Sequence, residues 1–350
     1  MTKSEQLETE FRRLIGNGIW QESCQIPSEP ELCQQYAVSR TTVRAALGAL
    51  RAEGLVTSRP RLGTVVASKT ACRTLHLVIR DIREQFAAMT AHYAHAFATS
   101  QENMMFQSHE TNYSQEQEEK IVRECLEDPH SLIVLSTLSS DKTRELIRQN
   151  PTRIAILGQA PEMCGSCIQV MTDLESGAEM VMKHLLEMGH TRIGFIGSAD
   201  DTDIRSIVWR RTLRRYGYPI PEGYQAYLDA AKFPDIFAQV SFFQNYLETI
   251  RQLPEPPTAV FCSSDMFAQG FLHAIYAAGK KVPEDFSLVG FDGTCLENTS
   301  YALPQLATVV QPYAQLISTI VYAMQDYHED FPRLLLQPHF HAGTTIRKLS

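Results

Sequence analysis

Residues 36–54 decide the N-terminal fold of this chain and read YAVSRTTVRAALGALRAEG. Ala37-Val38 predicts a tight turn, and Ser39 is a residue type that caps the N-termini of helices. The segment Arg40–Glu53 is then predicted to be a helix, which Gly54 ends because glycine readily adopts left-handed backbone angles. At about 100° per residue, one arc of this helix is apolar, and it consists of Val43, Ala46, Leu47 and Leu50.

The same helix carries a basic face beside the apolar arc. Arg40, Arg44 and Arg51 lie within about 40° of one another on a helical wheel. The rest of the solvent side has small residues, which are Thr41, Ala45 and Gly48. A cationic helix face with small neighbours can approach a phosphate backbone and enter a major groove. The alternative is that the arginines form a solvated helix face, and it weighs most for Arg51, which is far from the helix N-terminus.

Further helix and strand patterns flank this segment. Upstream, Ser4–Ile15 has apolar residues at helical spacing, and the capping-box pair Ser28 and Glu31 begins a short helix that ends near Tyr36. Downstream, residues 55–58 and 64–67 predict two short strands around a turn at 59–63. Three helices followed by a β-hairpin predict a winged helix-turn-helix over residues 1–67.

This segment resembles the DNA-binding domains of the GntR family. The matching residues are Gly18-x-Trp20, Pro27-Ser28-Glu29-x-Glu31-Leu32, Tyr36-x-Val38-Ser39-Arg40-x-Thr42-Val43-Arg44-x-Ala46-Leu47, Glu53-Gly54-Leu55 and Gly63-Thr64. The resemblance implies DNA contacts from Ser28, Ser39, Arg40, Thr41, Thr42, Arg44, Arg61, Gly63 and Thr64. Pro30 stands where the family often has a basic residue, and Arg61 stands where it usually has glycine. Arg61 could instead reach into a narrow minor groove.

The net charge of the whole chain conceals this basic segment. The formal net charge is −8, which taken alone argues against nucleic-acid binding. Residues 1–70 carry nine Lys/Arg and seven Asp/Glu, a net +2, and residues 71–350 carry the other 23 and 33, a net −10. Five arginines and one acidic residue lie between Ser39 and Arg61. The acidity therefore belongs to the C-terminal part of the chain.

Length and composition are those of an ordinary globular protein. At about 150 residues per domain, 350 residues predict two or three domains, and 44% hydrophobic with 21% charged residues exclude a mainly disordered or coiled-coil chain. No run of about 18 uncharged apolar residues predicts a membrane span, and the N-terminus lacks the apolar region of a secretory signal. The eight dispersed cysteines then indicate free thiols in a reducing cytoplasm.

Beyond a predicted linker at residues 68–74, short apolar runs alternate with helical patterns. The predicted strands are Leu75–Ile79, Leu132–Leu135, Arg153–Leu157, Ile168–Met171, Ile193–Ile196, Ala259–Cys262 and Leu288–Phe291. The predicted helices include Gln115–Glu127, Ser176–Met188, Phe237–Arg251 and Phe267–Ala278. Buried strands that alternate with helices predict an α/β fold with parallel, doubly wound sheets. Seven strands over about 275 residues suggest two lobes.

This second part resembles the effector-binding domain of LacI-type repressors, which is itself similar to periplasmic sugar-binding proteins. The resemblance rests on Asp173–Ala178, Gly189-His190, Arg192–Gly197, Arg205, Pro257–Ala268, Val282–Asp292 and Pro304–Val309. It covers residues 75–350 and implies two lobes, at 75–160 with 293–323 and at 161–292 with 324–350. Three connecting strands would join the lobes around a ligand cleft at the carboxyl ends of the sheet strands. The whole chain is similar to chimeric GntR–LacI regulators, without the hinge helix of LacI proteins.

The second resemblance also implies a set of effector-binding residues. They are Asp81, Phe86, Arg205, Trp209, Asp265, Phe291 and Asp292. Arg205 matches an arginine whose planar donor fork binds ligand hydroxyls or a carboxylate, and Asp265 matches an acceptor of hydrogen bonds from ligand hydroxyls. Trp209 and Phe291 could pack on the apolar face of a sugar.

Each of these residues has a plainer alternative. Arg205 could form a surface ion pair, Asp265 could cap a helix, and the aromatic residues could belong to the core, while Asp292 reads more readily as structural. The family pattern is broken at Ser264, where asparagine is usual, and at Glu84-Gln85, where Asn-Pro is usual.

Neither a metal site nor a catalytic site is predicted. Cys164-Gly165-Ser166-Cys167 precedes a strand rather than beginning a helix, and no second C-x-x-C motif accompanies it. The pairs His92-x-x-His95 and His339-x-His341 lack a clear third ligand. We find no nucleophile elbow or phosphate loop, so we expect no enzyme activity and no cofactor.

Taken together, these patterns predict a cytoplasmic transcription regulator, favouring a repressor. We expect a homodimer on a near-palindromic DNA operator and a small-molecule effector, a sugar or sugar derivative, that closes the cleft and changes the relative placement of the two DNA-binding domains. Two alternatives stay open: a regulator of the same build that senses no small molecule, and a binding protein or enzyme with a vestigial DNA-binding domain.

Overall fold

The computed structural model describes residues 3–21, 24–52, 55–59, 63–66, 73–138, 140–198, 203–228, 236–296, 304–326 and 331–349. The chain divides into two compact units, Met1–Arg73 with Glu102–Met105 and Thr74–Gln101 with Phe106–Ser350. Residues 68–72 of the predicted linker lie outside the described residues, and Arg73 and Thr74 begin a strand. Within the described ranges, no helix has both the length and the apolar character needed to cross a membrane.

The first unit is a winged helix-turn-helix, as the sequence predicts. Its elements are α1 (Lys3–Gly16), α2 (Glu29–Tyr36), α3 (Arg40–Ala52), β1 (Val56–Arg59) and β2 (Gly63–Val66). The two strands pair antiparallel, with Val56 opposite Val66 and Arg59 opposite Gly63. Ser28 and Glu31 form the predicted capping box at the start of α2.

A small apolar core holds these helices together. It contains Leu7, Phe11, Leu14, Ile26, Leu32, Val43, Ala46, Leu47, Leu50, Val56 and Val66, all of them buried. The ring of Phe11 lies 5.0 Å from that of Trp20 and 5.6 Å from that of Tyr36. Because the apolar arc of α3 is committed to this core, its basic face is left exposed to solvent.

The second unit contains two six-stranded sheets, which define its two lobes. The sheet of lobe 1 has the order β13–β7–β6–β5–β3–β4 and consists of β3 (Arg73–Ile79), β4 (Met104–Glu110), β5 (Ser131–Leu135), β6 (Ile154–Leu157), β7 (Gln169–Thr172) and β13 (Arg333–Leu336). The sheet of lobe 2 has the order β14–β12–β11–β10–β8–β9 and consists of β8 (Ile193–Ser198), β9 (Gln225–Leu228), β10 (Ala259–Cys262), β11 (Ser287–Asp292), β12 (Ala307–Val310) and β14 (His339–His341). The inner strands pair in parallel.

Eight helices accompany these strands in the described part of the unit. They are α4 (Gln85–Thr99), α5 (Gln115–Glu127), α6 (Asp141–Gln149), α7 (Leu174–Glu187), α8 (Ile204–Arg215), α9 (Ile236–Arg251), α10 (Asp265–Ala277) and α11 (Tyr313–Asp326). Several begin directly after a strand, because a Ser or Asp side chain there accepts a hydrogen bond from a backbone N–H of the first turn, as Asp173 does in α7 and Ser264 in α10. Polar side chains therefore collect at the carboxyl ends of the strands.

The fold class is confirmed, but the predicted lobe boundaries are wrong at three strands. β7 and β13, which fall within the predicted lobe 2, pair with each other in the sheet of lobe 1. β12, which falls within the predicted lobe 1, pairs with β11 in lobe 2. The chain crosses between lobes after β7 and after β12 rather than before them. An apolar run indicates that a strand exists, whereas its sheet is decided by tertiary pairing.

Candidate functional site

The N-terminal half of α3 is a polar, exposed surface. Ser39 Oγ accepts a hydrogen bond from the Thr42 backbone N–H at 3.2 Å, and it lies 2.8 Å from the hydroxyl oxygens of Thr41 and Thr42. Arg40, Thr41 and Arg44 are exposed. The structure thus brings five of the predicted DNA-contacting residues to one end of one helix.

Arg40 and Arg44 share a single carboxylate. Arg40 Nε donates to Glu29 Oε2 at 2.9 Å, and Arg44 Nε donates to Oε2 at 2.9 Å and to Oε1 at 3.1 Å. The hydrogen bond from Arg40 is the main reason why the pKa of Glu29 is lowered. The two arginine side chains remain 64% and 58% exposed. Exposed ion pairs of this kind are worth only about 0–1 kcal/mol, so both guanidinium groups are available to another anion.

Other predicted DNA contacts take part in local structure. The backbone N–H and the hydroxyl of Ser28 both bond Glu31 Oε2 at 2.7 Å. Arg51 Nη2 donates to Thr64 Oγ1 at 3.1 Å, which ties α3 to β2 of the hairpin. Gly63 has a φ of 78°, a conformation that favours glycine. Arg61, at the predicted tip of the wing, lies outside the described residues.

The second unit contains a cavity of about 670 Å³ between the carboxyl ends of strands from both lobes, a size typical of small-molecule sites. Its polar lining is formed by Arg80, Glu84, Tyr113, Ser136, Thr137, Gln159, Glu162, Thr172, Ser198, Arg205, Ser263, Ser264, Asp292 and Gln311. Its larger apolar lining residues are Phe86, Leu138, Ile156, Leu157, Met171, Leu174, Phe267 and Leu316. We call this space the interlobe cavity.

Arg205 is a fixed cation in the wall of the interlobe cavity. Its Nε donates to Asp203 Oδ1 at 2.9 Å, and its Nη1 donates to the backbone oxygen of Ser263 at 2.6 Å. The guanidinium carbon lies 5.2 Å from the centroid of the Phe291 ring, a cation–π distance. Burial alone would lower the pKa of Arg205, but the nearby carboxylates of Asp203 and Asp292 raise it. Arg205 is therefore always positively charged, and its hydrogen bonds fix the orientation of the guanidinium group.

Asp292 faces Arg205 at the end of β11. Its Oδ1 lies 3.9 Å from Arg205 Nη1 and accepts a hydrogen bond from Gln311 Nε2 at 2.7 Å. Burial raises the pKa of Asp292 to about 7, although the guanidinium of Arg205 acts in the opposite direction. Gln311 in turn accepts a hydrogen bond from Thr172 Oγ1 of lobe 1 at 2.6 Å. A continuous chain of polar contacts thus runs along the wall of the cavity from Thr172 of lobe 1 to Arg205 of lobe 2.

Phe86 also lines the interlobe cavity, as expected, and its neighbours connect the lobes. Its ring lies 5.7 Å from that of Tyr313. The adjacent Gln85 accepts a hydrogen bond from Thr294 Oγ1 at 2.8 Å and donates to Gln269 Oε1 at 3.4 Å. The departure from the family pattern at Glu84-Gln85 therefore supplies an amide that spans from lobe 1 to lobe 2.

The structure places the rings of Trp209 and Phe291 in the core of lobe 2 rather than in the lining of the interlobe cavity, which favours their alternative interpretation as core residues. Trp209 is fully buried, its ring stacks on Phe195 at 5.4 Å, and its Nε1 donates to the backbone oxygen of Ile193 at 3.1 Å. Trp209 follows Arg205 by one helical turn, which carries it from the cavity wall to the interior. Phe291 is fully buried beneath the guanidinium of Arg205.

Asp265 and Asp81 are likewise structural among the described residues and are not part of the cavity wall. Asp265 is fully buried and accepts hydrogen bonds from Thr308 Oγ1 at 2.6 Å and from the Cys295 backbone N–H at 3.3 Å. Burial raises its pKa to about 6. Ser264, rather than Asp265, caps α10. Asp81 accepts hydrogen bonds from the Arg83 backbone N–H at 2.8 Å and from Arg83 Nε at 2.9 Å.

The two cysteines of the C-x-x-C motif have opposite environments. Cys164 is exposed, whereas Cys167 is buried in the core of lobe 1. Burial raises the pKa of Cys167 to about 12, which disfavours the reactive thiolate.

A second cysteine-containing group in lobe 1 is not apparent from the sequence. His76 Nδ1 lies 3.0 Å from His109 Nε2, and that nitrogen lies 3.7 Å from Cys125 Sγ. Burial lowers the pKa of His76 to about 4 and raises that of Cys125 to about 11.

The chain matches two protein families over separate ranges. Residues 3–66 match the bacterial regulatory proteins of the gntR family, and residues 182–334 match the periplasmic binding protein-like domain. The fold agrees with both matches. The chain is therefore similar to chimeric GntR/LacI-type regulators, since it contains a GntR-type helix-turn-helix domain and a LacI-like periplasmic-binding-protein domain.

Individual relatives agree with this class. The chain is 29% identical to the ribose operon repressor of Escherichia coli over 53% of its own length and 54% of that protein, so it spans about half the length of such curated relatives. It is 26% identical to the arabinose metabolism transcriptional repressor of Geobacillus stearothermophilus over 90% of both chains. A LacI family regulator from Enterococcus faecium, solved with bound ribose, shares the fold over 79% of this chain and 100% of that one, with a TM-score of 0.64 and 18% identity.

Proposed function

We propose that this protein is a cytoplasmic transcriptional repressor, not an enzyme, that binds DNA through α3 and the wing and responds to a small molecule in the interlobe cavity. The observation that carries the proposal is the pair Arg40 and Arg44, exposed at the start of α3 in a domain that matches the gntR family. A homodimer would place two copies of α3 in successive major grooves, about 34 Å apart, of a near-palindromic operator.

The contacts around α3 support the DNA-binding part of this proposal. Arg40 and Arg44 are both exposed and share only the half-buried carboxylate of Glu29, so a phosphate or a guanine edge can replace Glu29 as their partner. Thr41 is exposed at the same end of α3 and adds a short hydroxyl donor. We propose that the wing contributes through Gly63, Thr64 and Arg61.

The lining of the interlobe cavity supports a polyhydroxylated effector, of which carbohydrates are the main class. Carboxylates, hydroxyls and amides supply acceptors, Arg205 supplies an oriented donor fork, and Phe86 and Phe267 offer apolar ring faces. Sugars need this combination because their hydroxyls lie around the ring edge while the C–H groups form an apolar face. If the effector changes the affinity for operator DNA, then DNA must change the affinity for the effector by the same factor.

The DNA-binding proposal is tested by Arg44→Ala in the full-length protein. Loss of a direct contact should weaken operator binding by about 1–3 kcal/mol, roughly tenfold to a hundredfold, and lower the salt dependence of binding. Arg148→Ala is a matched control, since Arg148 is also exposed and paired with an acidic side chain, but lies in the second unit. Operator affinity equal for wild type and Arg44→Ala in gel-shift titrations would refute the assignment.

The effector proposal is tested first by a thermal-shift screen of sugars and sugar derivatives. The ligand found is then titrated into operator complexes of wild type, Arg205→Ala and Arg211→Ala. Arg205→Ala should keep DNA binding and lose the response, whereas Arg211, an exposed residue of the same helix paired with Glu175 and Glu179, should be dispensable. A screen without any stabilising sugar would refute the carbohydrate effector, and an unchanged response in Arg205→Ala would refute the site.

A further inference from the structure

The histidine–cysteine group in lobe 1 brings together ligands from three elements. His76 lies in the middle of β3, His109 lies in the edge strand β4 next to it, and Cys125 lies near the end of α5. One ligand atom from each of the three residues lies within 4.8 Å of the other two. His76 and Cys125 are buried and His109 is half-buried, so this convergence occurs beneath the surface with one member open to solvent.

The distances match those of a tetrahedral metal site. With metal–nitrogen bonds of about 2.05 Å and a metal–sulfur bond of about 2.3 Å, a tetrahedral ion separates two nitrogens by about 3.3 Å and nitrogen from sulfur by about 3.6 Å. The corresponding separations are 3.0 Å between His76 Nδ1 and His109 Nε2, and 3.7 Å between His109 Nε2 and Cys125 Sγ. Binding an ion therefore needs only small side-chain adjustments at these two edges.

The donor atoms also select the kind of metal. Imidazole nitrogen and cysteine sulfur are ligands for Zn²⁺ and similar transition metals, whereas Mg²⁺ and Ca²⁺ require oxygen ligands. His76 Nε2 lies 3.1 Å from Ser131 Oγ. This is the outer hydrogen bond that orients a metal-binding histidine and directs its other nitrogen toward the ion.

We propose that His76, His109 and Cys125 bind one transition-metal ion of the Zn²⁺ class in lobe 1, at a site separate from the interlobe cavity. Three protein ligands leave a fourth position for water, which can enter beside the half-buried His109. The ion connects the edge strand β4 to β3 and to α5 and holds this side of lobe 1 together. The site does not depend on the regulatory function proposed above.

The test uses the full-length protein, reduced and stripped of metal with a chelator, and titrated with Co²⁺ and then Zn²⁺. We expect one equivalent of Co²⁺ to give the visible bands of a tetrahedral site and the near-ultraviolet band of a cobalt–thiolate bond, and Zn²⁺ to remove both. Cys125→Ser should abolish the thiolate band, and His109→Gln should weaken binding by more than about tenfold. Cys164→Ser, which removes an exposed thiol from the same lobe, should change neither.

Melting curves in chelator establish that each variant is folded. If Cys125→Ser does not fold, the loss of Co²⁺ affinity in His109→Gln provides the test instead. The proposal is overturned if the stripped protein binds no stoichiometric Co²⁺ in competition with a weak chelator. It is equally overturned if the thiolate band persists in Cys125→Ser and disappears in Cys164→Ser. In either case the group is a hydrogen-bonded cluster of the core.

Discussion

The carboxyl group of Asp292 is expected to make the protein less stable as the pH rises toward neutrality. Burial raises its pKa from an ordinary value of 3.8 to about 7 in the folded protein. The folded state therefore holds the proton more tightly than the unfolded state does. The resulting stabilisation is complete below the unfolded pKa and is lost as the pH rises through the folded pKa. Asp292→Asn removes this titration while keeping the size of the side chain, and asparagine tolerates the φ of 104° at this position.

The size of the effect follows from the two pKa values. A full shift of about three pKa units corresponds to roughly 4 kcal/mol, and the part that falls between pH 5 and pH 8 is about 2–3 kcal/mol. The unfolding free energy of the wild type, minus that of Asp292→Asn, should thus fall by about 2–3 kcal/mol over this interval. Taking the difference cancels the titration of groups that behave alike in both proteins.

Urea unfolding at pH 5, 6, 7 and 8 measures this difference. In a Trp20→Phe background, the fluorescence of Trp209 reports unfolding of the core of lobe 2, to which Asp292 belongs. Asp285→Asn is the control, because a hydrogen bond from the Lys281 backbone N–H lowers the pKa of Asp285, and the side chain is already ionised throughout this range. A difference for Asp292→Asn that is flat or rises with pH would refute the reasoning.

Three further outcomes are expected. Gly270→Ala should destabilise the protein by about 1–3 kcal/mol, because an added Cβ would overlap the ring of Phe243; an unchanged melting temperature would contradict this. Trp209→Phe should cost about 1–3 kcal/mol by removing a buried hydrogen bond without changing effector affinity, so a selective loss of effector binding would count against its core role. Alkylation of the native protein followed by mass spectrometry should modify Cys164 and spare Cys167; equal labelling would show that Cys167 is accessible.

The first unit could be predicted closely because its information is local. The turn before Ser39, the capping box at Ser28 and the apolar arc of α3 each depend on residues within one or two helical turns. Seven buried strands of the second unit were also predicted, since a run such as Ala259–Cys262 is apolar on both faces, but the buried strand β12 was not. The edge strands β4, β9, β13 and β14 were not predicted; β4, for example, has three apolar residues followed by four polar ones and lacks the alternation of a half-buried strand.

The cavity was harder to predict because it depends on pairing between distant segments. Gln311 closes the polar chain between lobes, yet nothing next to it in the sequence distinguishes it from any glutamine that follows a strand. Trp209 was predicted to contact a sugar because it is a large aromatic residue close to Arg205. Its burial in the core depends on how α8 packs on β8, which the local sequence does not show. His76, His109 and Cys125 are separated by 33 and 16 residues, and they become neighbours through the pairing of β3 with β4 and the placement of α5 beside them.

The bonds from Arg40 and Arg44 to Glu29 have a consequence for the overall affinity for DNA. In the DNA-free protein the two arginines already hold an internal anion, so DNA binding exchanges one negative partner for another instead of filling a vacant cationic surface. Any DNA must compete with this carboxylate, so replacing Glu29 by one DNA phosphate yields little net free energy. The cost of leaving Glu29 is small and is the same for every DNA, so we expect it to lower the affinity for random DNA and for an operator alike, while base-edge contacts separate the two. Glu29 is therefore expected to weaken loose attachment to DNA of any sequence, and its replacement by glutamine should raise the affinity for random and specific DNA by similar factors.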